Sequence, residues 1–297
     1  MLQFLVDTLI RAADLALVAV GLSSVYALMK FPNIAHVQYA AAGAFITYAL
    51  LQVGMPFVAA LAVACVITGV LATALNILVF ERLLRSGPAI AMIGSLAVSM
   101  IMVAIILGWA GSRPLRYPFE ILPPLRIGDA RISQAQIWSI VACTIALATF
   151  ATVLFKTSFG RSMRALAANA QLAAATGVNG RRITNSISFI SGAFAALGGT
   201  LLAMTTDVHM NLGNDLLLPV FAAAILGGLG NPMGAVLGAV VIALGETAIT
   251  NINFGWLIGK EIAFLPVTYI SAASFLVLVI CLLFRPQGLL SREVRHV

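Results

Sequence analysis

Polar residues are scarce in this chain, so the few that cluster carry whatever chemistry it has. The stretch Lys30-Phe31-Pro32-Asn33-Ile34-Ala35-His36-Val37-Gln38 sets a helix-breaking proline among side chains that lipid would exclude. Asn33, His36, Ala40, Gly43 and Thr47 then follow three- and four-residue spacing, so on a helix they share one face. A broken helix that bares backbone groups beside a narrow polar stripe is one way to build a path for a solute. On that reading Lys30, Asn33, His36, Gln38 and Thr47 line the path. On the other reading the stretch is a plain inter-helix turn, with Lys30 snorkelling to the surface.

A second cluster, GRSMRALAANAQLAAATGVNGRR, begins at Gly160. Arg161 and Arg164 stand three apart and share a helical face, while Met163, Leu166, Ala167 and Ala170 form a more apolar side. The pattern predicts one short helix over 161–176, ended by Gly177 in a left-handed conformation. Asn179-Gly180 marks a turn before Arg181-Arg182. Such an arm, tied to apolar segments at both ends, offers Arg161, Arg164, Leu166, Gly177 and Arg181 to a soluble partner. The alternative is an ordinary solvated loop.

The third cluster is made of small residues. Gly230, Gly234 and Gly238 recur every fourth position, and Ser188, Gly192, Ala196 and Thr200 do the same. Both rows predict close helix–helix approach. Glu246 continues the first row; a carboxylate there faces a partner, a cavity or interfacial water. No GxxxxGK[ST] phosphate loop, HExxH metal motif or nucleophile elbow occurs, and the three histidines stand far apart. Cys65, Cys143 and Cys281 lie singly in apolar segments without metal spacing. The sequence therefore predicts neither an enzyme nor a cofactor or metal site.

The elements that must hold these residues are apolar helices. Hydrophobic residues make up 61% of the chain and charged ones 9%, with a mean hydropathy of +1.06. Soluble domains carry about 25% charged residues, so this chain is expected in lipid. A span takes about 20 apolar residues, which marks Leu9–Met29, Ile34–Val53, Pro56–Phe80, Ile90–Ala110 and Gln134–Phe155. Ile183–Met204, a short Leu216–Leu229, Met233–Thr250 and Phe264–Phe284 follow. The expected fold is an all-α polytopic membrane protein, one permease domain over 1–297 with about eight or nine spans. The short segment would be re-entrant. No period-2 alternation suggests a barrel, and the start of the chain lacks the pattern of a removed signal peptide.

Charge orients the bundle. Lys30, Arg82, Arg85, Lys156, Arg161, Arg164, Arg181, Arg182, Arg285, Arg292 and Arg295 fall on one side, eleven in all. Arg11, Arg113, Arg116, Arg126, Arg131 and Lys260 make six on the other. The richer side is expected in the cytoplasm, leaving the N-terminus outside and the C-terminus inside. This bias accounts for most of the net charge of +7, and no soluble basic surface invites nucleic acid. The 111–133 loop would then be periplasmic. Its Leu125–Ile127 and Ala130–Ile132 flank a Gly128-Asp129 turn, and Ser133 and Gln136 have capping-box spacing. Such a lip could meet a soluble binding protein or simply tidy helix ends.

Four ordered motifs, spread over nearly the whole chain, resemble one family. Gly21-Leu22-Ser23-Ser24-Val25-Tyr26, Asn33-Ile34-Ala35-His36 and Gly43-Ala44-Phe45 look like the opening signature of LivH-type permeases. These are membrane subunits of branched-chain amino acid ABC importers. Arg164-Ala165, Ala174, Gly177-Val178-Asn179 and Ala195–Gly199 are similar to the family's coupling loop and the span after it. Gly227–Ala235 with Gly238 and Glu246 resembles its late glycine motif, and Arg285–Leu289 its RPQGL. The resemblance implies a permease with a LivM-like second permease subunit, two cytoplasmic ATPases and a periplasmic substrate-binding protein, in a bacterial inner membrane. It makes 156–182 the cytoplasmic coupling loop. Ala27, Lys30, Pro32 and Val37-Gln38 depart from the family pattern. If they line the path, a cation is gained and an anion lost, which would suit an anionic substrate. A self-sufficient secondary transporter or channel is the rival class, with Asp14 and Glu246 as its acidic candidates.

Overall fold

The computed structural model describes residues 2–119, 123–128, 130–252, 270–284 and 288–289. Among the described residues nine apolar helices form a bundle: α1 (Leu2–Met29), α2 (His36–Gln52), α3 (Phe57–Leu75), α4 (Pro88–Ala110), α5 (Gln134–Lys156), α8 (Gly180–Thr205), α9 (Leu212–Gly227), α10 (Pro232–Asn251) and α11 (Ile270–Phe284). The short helices α6 (Ser158–Ala168) and α7 (Ala170–Ala175) form the arm between α5 and α8. Among the described residues six helices, counting α3 with its extension to Ser86, are long and apolar enough to cross a membrane. The shorter α9 and α11 are also apolar. All-α polytopic architecture is thus what the structure has. Lys260, residues 264–269, Arg285–Gln287, Arg292 and Arg295 lie outside the described residues, as does Asp129 of the expected turn.

The bundle has a centre and a rim. α1 is almost wholly enclosed, by α8, α10, α9 and α5. α3, α4 and α5 leave large apolar side chains such as Ile67, Ile93, Ile105 and Ile145 exposed, as helices facing lipid do. At the centre small residues let backbones touch. A side chain at Gly199 of α8 would run into the Ala40 carbonyl of α2, and one at Gly43 into Ala196. Gly192 sits against Ala72 and Thr68 of α3, and Gly198 against Val18 of α1. On α10, Gly234 and Gly238 face the Gly227 and Ala223 carbonyls of α9. Gly230 does not belong to that stripe: it precedes α10, in the turn after α9, at φ +90° and beside Ala27. Leu289 closes this turn by donating its N–H to the Leu226 carbonyl at 2.7 Å.

Three departures from regular helix shape the interior. α3 continues through a π turn, Asn76–Phe80, into the short helix Glu81–Leu83. After α1, Lys30 adopts φ +56°, rare without glycine, and residues 30–35 run back along α1. His36 consequently meets the Val18 carbonyl and Gly21, roughly 12–16 Å up from the end of α1 at 1.5 Å per residue. A similar break follows α8, where Val208 exchanges two backbone hydrogen bonds with Leu115. α9 then starts against Val37 and Gln38. Helices α2 and α9 thus both begin inside the bundle, where protein rather than lipid surrounds the irregular backbone.

The expected hairpin is present, with Leu125 opposite Ile132 and Arg126 opposite Arg131. The capping box of Ser133 and Gln136 starts α5 as the spacing predicts.

Candidate functional site

The stripe on α2 is buried. Asn33 accepts the Ala35 N–H through Oδ1 at 3.1 Å, and the Ile34 N–H donates to Ser95 Oγ at 3.0 Å. These bonds satisfy backbone donors that the broken helix frees. His36 is 1% exposed. Its Nε2 lies 3.0 Å from the Val18 carbonyl, which can only accept, so Nε2 carries the proton. On a neutral ring Nδ1 is then the acceptor for Ser191 Oγ–H at 3.2 Å. Gln38 donates from Nε2 to Asn214 Oδ1 of α9 at 2.8 Å. Thr47 bonds the Gly43 carbonyl and meets Thr200 Oγ1 at 3.1 Å. Together these residues fasten α2 to α1, α4, α8 and α9. Lys30 is not brought among them: its side chain is exposed beyond the end of α1 and has no ion-pair partner among the described residues.

At one end of the bundle the arm is built from caps. Thr157 accepts the Gly160 N–H, and Gly160 lies so close to the Val153 and Leu154 carbonyls that a side chain has no room. The single helix expected over 161–176 is in fact two. Asn169 leaves helical geometry at φ −153°, ψ 108°, and its side chain accepts the Gln171 and Leu172 N–H groups to start α7. An asparagine that can cap competes with helix continuation. Gly177 ends α7 as predicted, at φ +84°: its N–H bonds Ala174 and that of Val178 bonds Ala173, the paired Schellman pattern.

Side chains on the arm divide into anchors and a free face. Met163 is buried, Leu166 half-buried against Gly180, and Arg164 bonds the Leu154 carbonyl while lying 5.6 Å over the Phe155 ring. Arg164 therefore anchors the arm to α5 rather than standing free. Arg181 pairs with Glu81 at 3.1 Å, an exposed bridge to the end of the α3 extension. Arg161, Ala170 and Leu172 are exposed, Leu172 at 66%, so Ala170 is not on the packed side as expected. Leu172 is the functional candidate that spacing passed over; its signal was a lone leucine in an alanine run.

Sequence reading also missed a charged knot at the opposite end of α1. Arg11 pairs with Glu246 of α10 at 2.5 Å, with side chains 25% and 2% exposed. Ser274 of α11 donates to the other Glu246 oxygen, and Ser139 of α5 donates to Asp14 at 3.3 Å. Both acidic residues that a self-driven carrier would need are thus engaged within the chain. Among the described residues no three His, Cys, Asp or Glu side chains group as metal ligands. In the loops joining other helices, Arg116 bonds Asp207 at 2.6 Å, and this hydrogen bond and charge push the guanidinium pKa above its ordinary value.

Known proteins resemble this chain over nearly all of its length. The sequence model of the family described as "Branched-chain amino acid transport system / permease component" matches residues 4–284. The probable branched-chain amino acid transport permease protein LivH of Methanocaldococcus jannaschii is 26% identical over 93% of this chain and 88% of its own. The high-affinity branched-chain amino acid transport system permease protein LivH of Escherichia coli K12 is 26% identical over 100% and 97%. Among solved structures, PsaBC from Streptococcus pneumoniae in complex with Fab aligns with TM-score 0.53 and 13% identity. It covers 96% of this chain and 92% of that one, a likeness of fold.

Proposed function

Because the chain belongs to the family of branched-chain amino acid transport permease components, we propose that it forms half of the translocation path of an ATP-driven importer. Its cargo is an amino acid or a related small organic acid; the LivH relatives are named for branched-chain amino acids. A LivM-like second permease subunit completes the path, two cytoplasmic ATPases dock beneath, and a periplasmic binding protein delivers the cargo. The chain sits in the inner membrane with its N-terminus outside. The 111–133 lip is periplasmic and the 156–182 arm cytoplasmic, following the bias of basic residues.

One observation carries this reading: the α6–α7 arm is capped at both helix starts, anchored to α5 by Arg164, followed by an α8 start that Arg181 ties to the α3 extension, and bare on its outer face. A rigid arm transmits displacement, whereas a solvated loop absorbs it. Nucleotide-driven closure of the ATPases moves the arm, and the helices joined to it shift between two arrangements. In the state described here the stripe of Asn33, His36 and Thr47 is packed against α1 and α8. It can line a path only where those helices part. Lys30, the cation that would favour an anionic cargo, is not among the residues of the stripe.

Reconstituted complexes test the arm. Gly177→Val and Arg164→Glu should abolish cargo-stimulated ATP hydrolysis while the complex still assembles; full stimulation in both would sink the coupling role. Labelling of single cysteines in a cysteine-free background tests orientation. Modification from outside at position 170 but not at 126 would reverse it.

A further inference from the structure

Helix α9 begins at mid-depth in the bundle. Val18, whose carbonyl meets His36, lies near the middle of the apolar run Leu9–Met29, and Gln38 is about 3 Å further along α2. Gln38 bonds Asn214, and a side chain at Gly213 would strike both Gln38 and the Val37 carbonyl. From the other direction, Asp215 stands about 18 Å before the far end of α9 at Gly227. Just beyond that end, Gly230 lies beside Ala27 of α1. A hydrocarbon core is about 30 Å thick, so both measures put the first turn of α9 near its middle.

At this depth α9 turns polar side chains outward. Asn211, Asn214, Asp215 and Leu218 share one face and all are exposed, Asp215 at 65%. His209 Nε2 is 3.8 Å from the Asp215 carboxylate, beyond hydrogen-bond reach. Pro219 has no N–H to give to the Asp215 carbonyl, which frees a second acceptor at the same residue. Asp14 and Glu246 are enclosed by protein; Asp215 is not. A carboxylate at such a depth turns to a partner or to a water-filled cavity rather than to lipid. The way down from the 111–133 lip is polar as well. Asp207 holds Arg116 of the lip, and Thr206, His209 and Asn211 continue from it, each at least partly exposed.

We infer that this face of α9 is a wall of the solute path, open to water from the lip, and that Asp215 receives the ammonium group of an amino-acid cargo. The inference rests on the importer reading. An ammonium carries three N–H donors; the Asp215 carboxylate, the carbonyl freed by Pro219 and the Asn211 amide oxygen are acceptors for them. Further along, the same face becomes apolar with Leu218 and Ile225, so the carbon side chain of the cargo has its own surface. The stripe of Asn33, His36 and Thr47 is closed in this state, whereas this face is already bare.

Reconstituted complexes with their binding protein test both halves. In a cysteine-free background, Asn211→Cys and Asp215→Cys should react with a charged, impermeant methanethiosulfonate added outside. The rate should exceed that of Ile145→Cys on the lipid-facing rim by about tenfold, because hydrocarbon excludes charge. Rates no faster than at 145 overturn the open face, as when the second permease subunit seals it. ATP-dependent uptake of a mixture of radiolabelled L-amino acids should fall about tenfold or more in Asp215→Asn, for want of one charge-assisted contact. Asp215→Glu, which keeps the charge, should recover most of it. Wild-type uptake in Asp215→Asn, or a loss in Asp215→Glu as deep as in Asp215→Asn, overturns the role in recognition. Wild-type uptake that needs no ATP would sink the importer reading, while the two variants would still decide for or against Asp215.

Discussion

The α2 stripe and the α6–α7 arm both stood out in sequence by their polar residues, yet the molecule uses them in opposite ways. On α2 and the elbow before it, Asn33, His36, Gln38 and Thr47 each find partners within the chain. On the arm, local caps and Arg164 fix the backbone, Arg181 ties the start of α8 beside it, and the outer face has no partner among the described residues. Where polar groups are enclosed their loss must be felt as stability; where they are bare it must be felt as communication with something else.

The largest effect that can break this contrast belongs to the centre. Gly199→Val would drive a side chain into the Ala40 carbonyl, and overpacking costs about 1–3 kcal/mol even where neighbours can yield. Backbone cannot, so little monodisperse protein should survive detergent extraction; normal yield would mean that α2 and α8 are not in contact. His36→Leu comes next. It leaves the Val18 carbonyl and Ser191 hydroxyl without their partner, at about 1–3 kcal/mol, read as a lower melting temperature. A variant that melts normally yet transports poorly would instead put His36 on the cargo's route. Gly177→Val forces a β-branched residue into φ +84°, a strain of about 1–3 kcal/mol. Confined to the arm, it should spare global melting and abolish stimulated hydrolysis. Smallest is Arg181→Ala, which removes an exposed pair worth about 0–1 kcal/mol. Melting should be unchanged and coupling only slightly reduced; a collapse of either would mean the arm hangs on this one bridge.

Local grammar was legible from residues alone. The Ser133–Gln136 box, the Gly128 turn, the Gly177 stop and the apolar segments all depend on neighbours within a few positions, and each is where spacing put it. Other features depend on what the fold brings near. Arg11 and Glu246 are 235 residues apart, and no periodicity reports a partner at that distance. The π turn at Asn76–Phe80 has an ordinary helical sequence; its side-chain bond to Asn185 and the Phe31 contact belong to the tertiary structure. At Asn169 the pattern of alanines argued for continuity, and the ability of one asparagine to cap won locally. The candidate path residues were legible as a group, but their enclosure was not, since it is supplied by α8 more than 140 positions later.

That separation bears on how the protein is made. Helix α2 has 17 residues, carries His36 and Gln38, and begins at an irregular backbone. By itself it is a poor tenant of a bilayer, with donors and acceptors that lipid cannot answer. Its partners Ser191, Ala196, Gly199 and Asn214 leave the ribosome long after it does. During synthesis α2 must therefore wait, sheltered by the insertion machinery or held near the membrane surface beside α1, until α8 and α9 arrive to receive it. Biogenesis of this bundle is in that sense not sequential, and a ribosome stalled before residue 191 should leave α2 exposed to proteases that the finished protein resists.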